Sequence, residues 1–168
     1  MKDLPVIGIR AAGSLDAVQA LLRQDIAVRI RVSGGSMQPL LKSGDIIEIK
    51  SLSAARQPRL GDILFLCNCQ GNPLVHRLIW RRMHNGTLHL LTKGDAGPSF
   101  DGFIPADNVL GRVQRILLSD AGRRLNLNAP LQRLRASLIV SRTLISHVLR
   151  KLHLQRPSCK KVIVPPPE

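Results

Sequence analysis

Residues 32–50 read VSGGSMQPLLKSGDIIEIK. Ser36 stands behind Gly34-Gly35 and before Met37 and Pro39, and Gly44-Asp45 then opens a β-branched run. A serine on a tight, glycine-flanked turn is sterically open to a carbonyl carbon. Its own backbone N–H can also be turned toward a developing oxyanion. A hydroxyl is a poor nucleophile without a neighbouring base, so the stretch poses a question for the rest of the chain.

On either side the pattern is β. Ile26, Val28, Ile30 and Val32 alternate with Ala27, Arg29 and Arg31, the two-residue period of a half-buried strand that runs straight into the serine turn. After Lys42-Ser43-Gly44, Ile46–Lys50 reads as a second strand. Gly61-Asp62 opens a third at Ile63–Cys67, and Gln70-Gly71-Asn72-Pro73 leads to a fourth at Leu74–Trp80. Asn85-Gly86 is a two-residue hairpin signal joining Trp80–Met83 to Thr87–Thr92. LTKGDAGPSFDGF reads as a loop, and Val109–Leu118 as a further strand. Short strands with glycine turns predict a mainly β fold, a coiled antiparallel sheet or barrel.

Helical periodicity flanks this core. Ser14 is placed to cap a short helix over Leu15–Gln24, with Leu15, Val18, Leu21 and Leu22 on one stripe. Beyond Pro130, Leu131, Leu134, Leu138, Ile145, Val148 and Leu152 recur on one helical face, with Arg133, Arg135, Arg142, Arg150 and Lys151 elsewhere. Pro157 ends this helix, and KKVIVPPPE reads as an extended tail. The expected organisation is an N-terminal helical segment (1–25), a β-domain (26–120), and a basic helix with its tail (121–168).

The 168 residues suffice for one domain with a real core. Aromatics make up only 2% of them, so Leu, Ile and Val must build that core. The net charge of +14 is unevenly placed. Residues 1–111 carry 13 Lys/Arg against 9 Asp/Glu, and residues 112–168 carry 12 against 2. No aromatic residues interleave with the basic ones there, which argues against nucleic acid as a partner. Cys67, Cys69 and Cys159 form no even disulfide framework. Cys67 and Cys69, one residue apart, would share a strand face. No further ligands stand at metal-binding spacing, so the expectation is reduced thiols, no metal and no cofactor. Neither a secretory leader nor a membrane-spanning run is visible, which gives a cytoplasmic expectation. The basic C-terminal helix has two readings: peripheral contact with a membrane surface through residues 131–154, or packing against the β-domain.

His76, in PLVHRLIW, is the candidate base. Asp95, in TKGDAG, and Asp101 are the carboxylates that could fix its tautomer. SGGSMQPLLKSGD, GDILFL, VHRLIW and TKGDAGPSFD, in that order, resemble the signal peptidase I family over roughly residues 28–118. The histidine resembles the branch using Ser, His and Asp, found in the endoplasmic reticulum, archaea and some spore-formers, where bacterial-type enzymes carry lysine. The resemblance implies Ser36 as nucleophile, His76 as general base and Asp95 as orienting acid, with Asp101 as its alternative. It places Gly34, Gly35 and Met37 at the oxyanion and substrate cleft. Some relatives have a hydroxyl where Gly34 stands. The implied activity is a serine endopeptidase that cleaves a leader or precursor peptide through an acyl-enzyme. The other readings are a catalytically silent peptide-binding module of the same fold, and a basic protein of membrane surfaces or nucleic acid. A self-cleaving SOS-type repressor core, normally built with a lysine base and a DNA-binding domain ahead of it, fits His76 and the short leading segment less well.

Overall fold

The computed structural model describes residues 6–8, 12–52, 57–118 and 124–154. Strands dominate: β1 (Val6–Ile7), β2 (Val28–Arg31), β3 (Ile46–Lys50), β4 (Ile63–Cys67), β5 (Pro73–His84), β6 (Thr87–Lys93), β7 (Phe100–Pro105), β8 (Val109–Leu118) and β9 (Leu125–Asn126). Two helices accompany them, α1 (Ala12–Arg23) and α2 (Pro130–Leu154), with a 3₁₀ turn at Ala106–Asn108.

The strands form one mixed sheet in the order β1-β2-β3-β8-β4-β5-β6-β7, with β9 on β8. Every pairing is antiparallel except β1 with β2. The sheet is not closed, so of the two forms expected the open coiled sheet is the one adopted. β4 shows why it holds together. Its alternate residues Ile63 and Phe65 join the core with α1, β2, β3 and β8, while Leu64 and Leu66 join a second cluster with Leu78, Leu90 and Ile104. A central strand buried on both faces reads as an unbroken apolar run, as ILFLC does. On α1, Val18 and Leu22 are buried against the first of these cores.

Four features differ from expectation. Residues 100–105, expected within a loop, form β7, and its partner is β6 (Leu90↔Ile104, Leu91↔Phe103). Trp80 does not break the chain: Pro73–His84 is one strand, turned into β6 at Asn85 and Gly86, both with positive φ (49° and 74°). Cys69 does not share a strand face with Cys67, because β4 ends at Cys67 and Asn68 organises a turn. The Asn68 side chain accepts from the amides of Gln70 and Asn72. Ser14 lies inside α1 rather than ahead of it, and the tail from 155 lies outside the described residues.

The larger surprise is α2. It approaches the sheet through Ala136 and Val140, the latter 5% exposed. The turn at Gly61 (φ +86°) fits against Ala136 so closely that a Cβ there would lie 2.9 Å from the Ala136 methyl. Arg133 reaches Asp62 at 2.9 Å. Of the two readings of its apolar stripe, packing on the β-domain is not made by the described residues, and the Leu152 side chain lies outside them. Leu131, Leu134, Leu138, Ile145 and Val148 remain exposed.

Candidate active site

β2 delivers the chain to the serine turn, and the loop closes where it began. The Val32 amide donates to Asp45 and the Gly44 amide to Val32. The Asp45 side chain, buried, accepts from the Lys42 amide at 2.9 Å. Within the loop, Gly34 takes a left-handed φ of 87°, and the amides of Gln38 and Leu41 donate to Gly35 and Met37. Met37 and Leu41 are driven into the core, at 3% and 0% exposure, and pin the turn from below. Met37, expected at the substrate cleft, is a core residue at the foot of the turn, where an apolar side chain gains by leaving water. Ser36, just ahead of these anchors, stays exposed.

His76 lies on β5 opposite Leu64 of β4 and is nearly buried. Its Nε2 is 2.9 Å from Ser36 Oγ, and its Nδ1 is 2.6 Å from Asp101 Oδ2 on β7. A carboxylate only accepts, so Nδ1 carries the proton toward Asp101 and the Nε2 lone pair faces the serine hydroxyl. Thr92, on the intervening β6, donates its hydroxyl to the same Asp101 oxygen at 2.7 Å. Two donors converge on one carboxylate and fix its orientation. The Ser36 N–H has no acceptor among the described residues.

Asp95, expected to orient His76, does not reach it. Arg77 takes it in a two-pronged ion pair, Nε to Oδ1 at 2.8 Å and Nη2 to Oδ2 at 2.6 Å. The cause is strand alternation: Arg77 follows His76, so its side chain leaves the opposite face and draws Asp95 there. The same guanidinium donates to the Gly61 carbonyl at 2.9 Å. Asp101 is thus the carboxylate beside His76, and the TKGD aspartate is the one paired with Arg77.

Two residues at the site were not among the candidates read from the sequence. Thr92 carried no signal beyond its strand. Gly94 stood in a turn-like sequence, yet the reason for glycine there is contact. A Cβ at 94 would lie 2.6 Å from the Ser36 carbonyl oxygen, 3.1 Å from Ser36 Cβ and 3.2 Å from His76 Nε2. Two residues on, the Ala96 amide donates to the Ser36 carbonyl at 2.9 Å, tying the loop after β6 to the serine turn. Of the thiols, Cys67 is partly buried, which pushes its pKa up, and Cys69 is exposed. Cys159 lies outside the described residues.

No protein-family model matches the chain. Over 72 residues it is 35% identical to the signal peptidase complex catalytic subunit SEC11 of Fusarium vanettenii, a match covering 42% of this chain and 41% of that protein. The chain thus spans less than half the length of this relative, and the similarity to a signal peptidase subunit is partial. Among the described residues no helix is long and apolar enough to cross a membrane.

Proposed function

We propose that the chain is a serine endopeptidase of the signal-peptidase kind that cleaves a leader or precursor peptide. The observation that carries this reading is the hydrogen-bonded relay from Ser36 through His76 to Asp101, at 2.9 and 2.6 Å. In the proposed reaction His76 Nε2 takes the hydroxyl proton as Ser36 Oγ attacks the scissile carbonyl. The tetrahedral oxyanion meets the Ser36 N–H, a donor with no competing acceptor among the described residues. Asp101 stabilises the imidazolium formed. His76 then returns the proton to the leaving amine, and the acyl-enzyme is hydrolysed by water activated the same way. Gly34 supplies no side-chain donor to the oxyanion, which leaves that task to the backbone.

The test is processing of a co-expressed precursor by wild type, Ser36→Ala and His76→Ala. Cleavage by wild type alone is expected, and equal cleavage by all three overturns the assignment. A serine-reactive phosphonate probe separates catalysis from silent peptide binding: it should label Ser36 in wild type and not in His76→Ala.

We propose in addition that α2 rests on an anionic membrane surface. Its exposed Leu134, Leu138 and Ile145 suit an interfacial helix, and the excess of 12 Lys/Arg over 2 Asp/Glu in residues 112–168 favours an anionic surface.

A further inference from the structure

A cavity of about 1080 Å³ lies between α2 and the sheet. It does not contain Ser36 or His76, but it begins on the other side of the Asp95–Pro98 loop. Its walls carry six cationic side chains, Arg59, Arg77, Lys93, Arg133, Arg135 and Arg142, and only two carboxylates, Asp62 and Asp95. Both carboxylates are already committed, Asp95 to Arg77 and Asp62 to Arg133 and Arg112. Arg59, Lys93, Arg135 and Arg142 have no carboxylate partner among the described residues.

Lys93 is the telling member. It is 9% exposed, and its ammonium makes one hydrogen bond, to the Gly94 carbonyl at 2.8 Å. An ammonium so withdrawn from water, with donors to spare, is costly unless an anion meets it. The remaining wall includes apolar surface from Leu60 and Ile139, so the cavity suits a ligand with both acidic and apolar groups.

The geometry points to acidic residues of the precursor peptide as the occupant. This inference rests on the endopeptidase reading for the identity of the ligand, and on the cavity alone for its chemistry. The loop that walls the cavity is bonded to the nucleophile's own backbone through Ala96 N–H and the Ser36 carbonyl, 2.9 Å apart. Pro39 and Leu40, three and four positions after Ser36, line the cavity too, so it adjoins the serine turn at which the scissile carbonyl would be held. Specificity would come from carboxylates near the cleavage site, read by Lys93 and the arginines of α2.

The experiment measures binding without turnover, on full-length Ser36→Ala protein. The probe is a fluorescein-labelled hexapeptide of alternating Glu with Ala or Leu, compared by anisotropy with its Gln counterpart. The Glu peptide should bind at least about tenfold more tightly, and added KCl should weaken it. The pair Arg135→Glu/Arg142→Glu, at exposed positions, should cost about tenfold or more, and Lys93→Met a similar factor. The charge-matched pair Arg23→Glu/Lys50→Glu, away from the cavity, should leave affinity nearly unchanged. Equal binding of the Glu and Gln peptides, no binding, or equal losses from both charge-reversal pairs overturns the inference. So does a labelled oligothymidylate that binds more tightly and is displaced by the same α2 variants, since the cavity would then serve nucleic acid. Because anisotropy needs no cleavage, failure of binding with precursor processing intact removes this inference alone. Binding with no processing by wild type removes the endopeptidase reading instead.

Discussion

The Asp101 carboxylate accepts the Nδ1 proton of His76 at 2.6 Å, while Asp95, earlier in the same segment, is held by Arg77. The two aspartates therefore predict opposite phenotypes. Asp101→Asn should fold normally and lose on the order of 10⁴ in kcat with little change in KM, because the amide no longer enforces the tautomer. Asp95→Asn leaves the Arg77 guanidinium, 3% exposed, without its charge partner, and should cost about 3–5 kcal/mol of stability. Urea unfolding beside peptide turnover separates them. A stable, inactive Asp95→Asn protein with an active Asp101→Asn protein would reverse the roles.

Gly94 makes a second test of the same geometry. The methyl of Gly94→Ala would press on the Ser36 carbonyl and on His76 Nε2, so either the serine turn or the ring must shift. Turnover should fall at least about 100-fold, since misplacement by about 1 Å costs that much. Gly97→Ala, with nothing within 4 Å of its Cβ, should be silent. A fully active Gly94→Ala enzyme would show that the Ser36–His76 contact is not needed for turnover.

Much of this site was legible because strands announce themselves by alternation, and residues 28–50 and 61–67 alternate or run apolar where the sheet uses them. Ser36 and His76 stood out as chemically capable residues in ordered blocks. The choice between Asp95 and Asp101 was not legible. It depends on β7, whose sequence FDGFIP sits behind Gly97-Pro98 and reads as the continuation of a loop. It also depends on Arg77, whose claim on Asp95 appears only once β5 alternation places the two on the face opposite His76. The partner of α2 was left open between a membrane surface and the β-domain for a related reason. Periodicity locates an apolar stripe but not its partner, and the tight Gly61–Ala136 approach selects a smaller-residue face for packing.

Asp62 is the fastening point of that helix. Its carboxylate, 2% exposed, accepts from the Arg59 amide at 2.8 Å, from Arg133 of α2 at 2.9 Å and from Arg112 at 3.5 Å. Asp62→Ala should destabilise the fold by about 3–5 kcal/mol, leaving Arg112 largely buried and unpaired. Arg133→Ala removes a pair that is part-exposed on the arginine side, at 31%, and should cost about 1 kcal/mol or less. Hydrogen exchange should report the second variant as faster exchange along residues 134–149 with little change in the strands. Uniform acceleration through the sheet would show instead that α2 and the sheet unfold as one unit.

The outward stripe of α2 yields the last prediction. Leu134, Leu138 and Ile145 are 60%, 62% and 59% exposed, so Leu134→Glu/Leu138→Glu/Ile145→Glu should leave the melting temperature nearly unchanged. The stripe should matter at a surface. Wild-type protein should co-sediment with vesicles containing about one-third phosphatidylserine, more weakly as salt screens the arginines, and little with neutral vesicles. The triple variant should lose about tenfold or more of that binding, because each buried side chain contributes about 1.5–3 kcal/mol when it leaves water. Equal binding to neutral and anionic vesicles, or none, would remove the membrane reading. A wild-type dimer in solution that the triple variant abolishes would assign the stripe to a second copy of the chain instead.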